Sequence, residues 1–575
     1  MMKNRRMQLA LAAAMSGALL LSACADGGNG GGGSPGDNGT AGGDNGAAGT
    51  DSLDASNPQD RDALQQGGEL NLPMESFPTN FNGWHVDGNL SAWSTVTNAT
   101  DPMMFLYSPE GEVSNRPEFL TEMPTTEEVD GKPVVTYNLN PDAVWNDGTK
   151  IDWTAFEATW KANRAPVDKE QYNNIANAGY EDIESVEQGD NENQVKVTFA
   201  RPFFPITQVF SGLVHPKLGE SPEAFNDTMK EDVHSELRSG PFKIESIDKT
   251  AQTIVLTPNE KWWGDAPMLD QIVYRQMEPS ADIPAFRNGE IDMVGLGNKA
   301  RYDQAAGAPN MEIRQSQRLT TRVFVYNSEA TALSDVNVRK AMWQGMNVEE
   351  LKSVQYSGMD YEEEPVGSYL YFNFQEEAEN NVPVEFDVEA ARQTLTDAGY
   401  TENANNMFEK DGQPLQVRYT AFGDDPITSA LAQTIQTQMQ AIGIDLEIDI
   451  RSGAQFGETM EQRTFDFLGM AWSSGSPSPV TGLCQIMCSD SSSNYAQVGT
   501  PELDERMKAI GSIEDAGEQA AEMNAIEKEW LEQYGQRPWT NGPAMGAYRT
   551  GLANLGPAAF ASLTPKWENV GWEQN

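Results

Sequence analysis

The chain has 575 residues, 86 of them acidic and 39 basic, for a formal net charge of −47. A surface this acidic repels phosphate backbones, which argues against nucleic-acid partners; it favours solubility and says little about fold. About 510 residues lie beyond a leader and a tether, enough for two or three domains with real cores.

Lys3, Arg5 and Arg6 precede an apolar segment from Leu9 to Leu21 that is too short for a spanning helix. A basic start, an apolar middle and small residues before a cut site describe an export signal, here residues 1–23. The end reads Leu21-Ser22-Ala23-Cys24, which resembles the lipobox of bacterial lipoproteins. The resemblance implies cleavage before Cys24 and a diacylglyceryl group on its thiol; an ordinary secreted protein cut near Ala23 is the alternative. Two or more acyl chains hold a protein on a membrane where one barely does. Residues 24–67 read as a disordered tether, because the Gly, Asn, Asp, Ala and Ser that dominate its first ~36 residues cannot offset the entropy of ordering. The string GDNG occurs at 36 and 43, but without the flanking ligands and closing Glu of a calcium loop.

Beyond the tether the chain reads as mixed α and β. Residues 135–162 spell a strand, an Asp-Gly turn and a helix capped by Asp152, with Phe156 and Trp160 on one face. Residues 386–400 spell a helix capped by Asp387 with a stripe of Val388, Ala391, Leu395 and Ala398, stopped by Gly399. In 424–450 a longer helix carries Ile427, Leu431, Ile435 and Met439 on its buried side. Gly443 ends it, and an alternating strand follows with Ile444, Leu446, Ile448 and Ile450 facing in. Residues 521–535 read as a charged surface helix. Strands alternating with helices predict α/β domains with partly parallel sheets.

Of three cysteines, Cys24 is assigned to lipid, and an oxidising exterior favours a short-loop disulfide between Cys484 and Cys488. A metal site is the rival reading, but no His is near and two thiols leave a tetrahedron incomplete. His85, His215 and His234 are unpaired at helical spacing and read as surface or core residues. No metal and no cofactor is expected.

Seven blocks in order resemble the solute-binding proteins of bacterial ABC importers, in particular the large peptide/nickel type. They are Trp145-Asn146-Asp147-Gly148-Thr149, Gly240-Pro241-Phe242-Lys243, Asn259 to Gly264 with its continuation to Arg275, 285–295, 325–347, 387–400 and 465–479. The resemblance covers roughly 68–575 and implies a two-lobed clamp with an extra subdomain. By that analogy lobe I comprises 68–103, 238–323 and 541–575, the inserted subdomain 104–237, and lobe II 324–540. The chain then crosses between lobes twice, forming a hinge of paired strands.

Peptide-binding members hold an extended ligand against strand edges, which gives affinity without reading side chains. The matching edge here is 470–474, so Ala471, Trp472, Ser473, Ser474 and the following Gly475 are candidate ligand contacts, with Trp472 as an aromatic wall or a core residue. Phe422, Gly423, Asp424 and Asp425 either face the cleft or start the long helix. Trp84, His85 and Trp93 either line the cleft or pack a loop. Some peptide-binding relatives carry W-x-x-D-Y and pair that Asp with the ligand's amine; here Gly475 stands in its place, so Asp424 or Asp425 does this or the ligand has no free amine.

The expected function is a monomeric, lipid-anchored, extracytoplasmic protein that captures oligopeptides for an ABC permease and its ATPase subunits. The alternative keeps the clamp for a sugar oligomer, a modified peptide or a nickel chelate. An enzyme is disfavoured, because Gly-x-Ser-x-Gly occurs only in the glycine-rich stretch, at 32–36, where no strand-to-helix turn is expected, His-Glu-x-x-His is absent, and no P-loop exists to hydrolyse ATP. A passive adhesin would have no need of a clamp.

Overall fold

The computed structural model describes residues 52–574 except Pro166, Ala176, Asn177 and Asp424. The leader, Cys24 and most of the tether lie outside these residues. No described helix is long and apolar enough to cross a membrane.

The first body is assembled from both ends of the chain. Strand Glu69–Met74 lies parallel to Gln271–Gln276, which continues antiparallel into Thr253–Pro258 and Phe242–Asp248. A second sheet joins Met293–Gly295 and Met311–Gln317 to Pro543–Arg549. Leu70, Leu72, Phe242, Ile254 and Trp567 meet in its core. The tether ends earlier than the sequence predicts. Ala55 donates its N–H to Pro557 O at 2.8 Å, and Leu64–Gln65 pairs with Gly571–Glu573, so 52–67 is packed chain. Ala55 and Leu64 are buried within it.

An inserted unit carries the four-stranded antiparallel sheet Thr125–Val129, Lys132–Asn138, Gln194–Phe199 and Ile183–Gln188. Helix Trp153–Asn163 covers it, and its cap is the predicted one: Asp152 Oδ1 accepts from Thr154 N at 2.9 Å. The motif blocks converge beside it. Asn259 Nδ2 donates to Asn146 Oδ1 at 2.8 Å and to Gly240 O at 2.7 Å. Gly240 is required there, since a Cβ would stand 2.6 Å from Ala99 O.

The second body holds a five-stranded mixed sheet in the order Asp445–Arg451, Gln416–Phe422, Phe467–Ser473, Thr320–Tyr326 and Gln536–Thr540. Helices Val388–Asp397 and Pro426–Ala441 start on Asp387 and Asp425, whose carboxylates accept the first free N–H groups. Two details depart from the sequence reading. Ile450 is exposed, at the end of an edge strand, although its alternation partners Ile444 and Leu446 are buried. The charged helix is Ala516–Leu531; one face is exposed, with Glu518, Lys528 and Glu529, but the other buries the charged Glu527 together with Met523, Ile526 and Trp530.

The chain passes between the bodies at 318–319 and 541–542, side by side. Strand Thr320–Tyr326 lies wholly in the second sheet, so the change of body falls a few residues before the predicted 323/324. Glu363 fastens the return crossing by accepting from Asn541 N at 3.1 Å and Gly542 N at 3.2 Å. Asn541 Nδ2 binds across to Thr321 Oγ1 at 2.9 Å. Gly542 has φ +80°, and a Cβ there would meet Tyr356 Oη at 2.4 Å.

Candidate functional site

A cavity of about 810 Å³ opens between the second body on one side and the inserted unit with the first body on the other. That is within the range of ordinary ligand sites at domain interfaces. Its most regular wall is the end of strand Phe467–Ser473. One edge of this strand pairs with Thr320–Tyr326 along its whole length. On the other edge, pairing with Gln416–Phe422 covers only Phe467 and Leu468. From Gly469 onward that edge has no strand neighbour among the described residues. Alternate residues of an antiparallel strand point their N–H and C=O away from their partner, so main-chain donors and acceptors face the open side.

The sequence-predicted residues divide sharply. Trp84, Ala471, Trp472, Ser473, Ser474 and Gly475 face the cavity. Trp472 is half-buried, stacks on Tyr495 at 6.0 Å between centroids and 9° between planes, and donates from Nε1 to Gln536 Oε1 at 3.1 Å. Its indole edge is anchored while the ring stands in the cavity lining.

His85, Trp93, Phe422, Gly423 and Asp425 are not among the residues that line it. His85 is buried against Phe225, and its Nδ1 accepts from Asp87 N at 3.0 Å, which fixes a tight turn. Trp93 is fully buried beneath the Arg238 guanidinium, in the first body's core. Phe422 sits one layer behind the wall, edge-on to Phe456 at 5.0 Å. Gly423 turns the chain at φ +91°. Asp425 is the helix cap: its Oδ1 accepts from Ile427 N and Thr428 N at 2.9 and 3.0 Å, leaving it bound to its own backbone. Asp424 lies outside the described residues.

Sequence reasoning missed the opposite wall and the rim. Tyr107, Tyr180 and Gln208 come from the inserted unit, Tyr369, Leu370 and Phe372 from a strap without regular structure, and Ser491 to Ser493 from a loop. The strap is held from behind by Glu527, whose carboxylate accepts from Ser368 Oγ at 2.6 Å, Tyr369 N at 2.8 Å and Asn381 Nδ2 at 2.7 Å. Burial pushes the Glu527 carboxyl above its ordinary range, against the lowering effect of those donors. Helix Val480–Met487 supplies the floor through Thr481, Leu483 and Ile486; Cys484 in its middle is bonded to Cys488 at its end.

The two bodies touch across the mouth. Gln208 Nε2 donates to Ser476 Oγ, Thr481 Oγ1 donates to Gln208 Oε1 at 3.0 Å, and the Tyr107 hydroxyl shares a hydrogen bond with Ser476. Burial raises the Tyr107 pKa, with Ser476 opposing. Phe560 of the first body packs on Phe372 and Phe374 of the second at 5.8 and 5.6 Å. The clamp is therefore shut in this structure.

Residues 117–494 match the family model "Bacterial extracellular solute-binding proteins, family 5 Middle". The chain is 32% identical over 514 residues to the oligopeptide-binding protein OppA of Mycobacterium tuberculosis and to that of Mycobacterium bovis, covering 88% of this chain and 85% of each relative. It is 25% identical over 473 residues to the oligopeptide-binding protein AppA of Bacillus subtilis, covering 80% and 84%. Among solved structures, the periplasmic EDTA-binding protein EppA matches with TM-score 0.80 at 24% identity, over 90% of this chain and 98% of that one. AppA of Bacillus subtilis with a nonapeptide matches at 0.69 and 21% identity, over 89% and 100%. With the two-lobed fold, the cavity between the lobes and these matches in hand, the chain belongs to the bacterial extracellular solute-binding proteins of family 5.

Proposed function

We propose that this protein is a lipid-anchored receptor that takes oligopeptides between its lobes and delivers them to an ABC importer. The observation that carries the reading is the free edge of strand Phe467–Ser473 inside the cavity. An extended peptide adds to such an edge through its own main chain, and this binds many sequences alike. The mycobacterial relatives are oligopeptide-binding proteins, which supports a peptide ligand here. The paired crossings at 318–319 and 541–542 supply a hinge, with Glu363 and Asn541 as its fasteners.

Lobe I consists of the first body with the inserted unit at its side, and lobe II begins at Thr320. Cys24 carries the lipid and the glycine-rich stretch after it spaces the clamp from the membrane. The protein acts as a monomer, and ATP hydrolysis belongs to separate subunits. The protein binds without catalysis, a reading that the membership of a solute-binding family supports.

The second reading, a different solute in the same clamp, rests on the EDTA-binding neighbour. A multiply charged anionic chelate needs cations around it, and none is among the described lining residues. Native mass spectrometry of the protein as purified separates the two. A ladder of peptide masses supports the first reading; one defined non-peptide mass replaces it with the second.

A further inference from the structure

The chain is 22% charged, yet no described residue lining the inter-lobe cavity is Asp, Glu, Lys, Arg or His. The polar groups that are present are neutral. Ser473, Ser474, Ser476, Ser478, Thr481 and Gln208 offer hydroxyls and an amide. Asn163, Thr207, Thr321 and Ser491 to Ser493 are among the further neutral polar groups, and aromatic and aliphatic residues, led by Trp84, Trp472 and Tyr495, complete the lining. The acid behind the Tyr369 strap is not available, because Glu527 is fully buried with its oxygens taken by Ser368, Tyr369, Leu370 and Asn381. The hinge acid Glu363 is likewise committed to Tyr361, Thr540, Asn541 and Gly542.

We infer that the chamber selects an uncharged segment of its solute and reads neither a free amine nor a free carboxylate. This deepens the peptide reading and rests on it. A charge enclosed here loses water and gains no counter-ion, a penalty that hydroxyls repay only in part. An anion suffers further from the surrounding acidic protein. Neutral amide groups lose little, since hydroxyls, Gln208 and the free strand edge replace their water. The occupants that fit are the interior of a longer peptide whose ends lie outside, or a peptide blocked at both ends. Charged side chains within the enclosed segment are excluded on the same ground.

The test is calorimetric titration of one neutral heptapeptide in four forms: free ends, N-acetyl, C-amide, and both. A fifth carries Glu, and a sixth Lys, at its centre. Each is measured at 20 and 500 mM salt. The expected result is four affinities within threefold, insensitive to salt, with the central charges at least 30-fold weaker. A tenfold loss on acetylation or amidation, or full affinity for the charged centres, overturns the inference. Gly475→Asp supplies a positive control, because Gly475 lines the cavity and a Cβ there meets nothing within 4 Å. It is expected to create a tenfold preference for the free amine over its acetylated form; an existing preference that it leaves unchanged counts against the inference. If no heptapeptide binds, the solute seen by native mass spectrometry decides: a neutral one keeps the inference while the peptide reading falls, and a charged one, or none, overturns both.

Discussion

Asn259 ties together segments 113 and 19 residues away, through Asn146 and Gly240, and all three belong to blocks that recur across relatives in the sequence reading. Trp472 stacks on Tyr495 in the cavity, and the surfaces facing that pair come from segments with no shared motif. The first region closes on itself: the Asn259 amide is spent on Asn146, Gly240 and Lys261. The second leaves faces, hydroxyls and a strand edge without protein neighbours. Motif residues thus hold the scaffold in register, and the ligand wall is supplied by whatever the scaffold brings together. Substitutions in the first region are expected to change stability and spare selectivity; those in the second do the reverse.

Glu527 is the place where this division is under most tension, because it is scaffold that reaches the wall. Glu527→Ala strands the Ser368 hydroxyl, two main-chain N–H groups and the Asn381 amide in a dry interior. A loss of about 3–5 kcal/mol is expected in urea unfolding, with weakened ligand binding as the Tyr369 strap loosens. Glu527→Gln retains one acceptor and is expected to lose less than half of that.

His215 belongs to the first region. It is buried beside Trp145, with Nε2 3.6 Å from Asp147 Oδ2, and burial lowers its pKa to about 4 against the attraction of Asp147. The unfolded chain therefore binds more protons than the native one between pH 6.5 and 4. Stability is full above pH 6.5 and falls as pH drops towards 4, by up to about 3 kcal/mol. His215→Gln is expected to flatten this part of the pH–stability curve; an unchanged slope contradicts it.

Asn259→Ala is expected to cost about 2 kcal/mol, since the Asn146 and Gly240 oxygens lose their donor. Ligand affinity stays within threefold by titration. Trp472→Ala reverses the pattern: affinity falls about tenfold, or ~1.4 kcal/mol, with a smaller change in melting stability because the ring is half-buried. If both variants shift affinity equally, the two regions are not separate.

The fold was legible because its signals are local. Asp152 and Asp387 announce helix starts, Asp425 takes the helix-start alternative, and each accepts an N–H of the first turn. Helix Ala516–Leu531 misled because Glu527, Gln519 and Asn524 look like a solvated face, while the structure buries each with partners from distant segments. Sequence proximity does not show those partners. Of the cleft, only 471–475 and Trp84 were legible: 471–475 lies within one strand-and-loop block. Tyr107, Tyr180, Tyr369 and Ser491 to Ser493 meet only after folding, and nothing in their local pattern distinguishes them from core or loop. His85 and Trp93 stand next to Trp84 in sequence, yet a tight turn and a buried helix direct them into the protein.

The main-chain recognition at the open strand edge is tested most directly by methylating the backbone nitrogens of alternate residues in a peptide that binds. The side chains stay the same, and only N–H donors are removed and the edge crowded. The account predicts that affinity falls at least 30-fold in calorimetry for one of the two alternation registers, the one whose N–H groups face Gly469 to Ser473. Equal affinity for the parent and both methylated registers would contradict it.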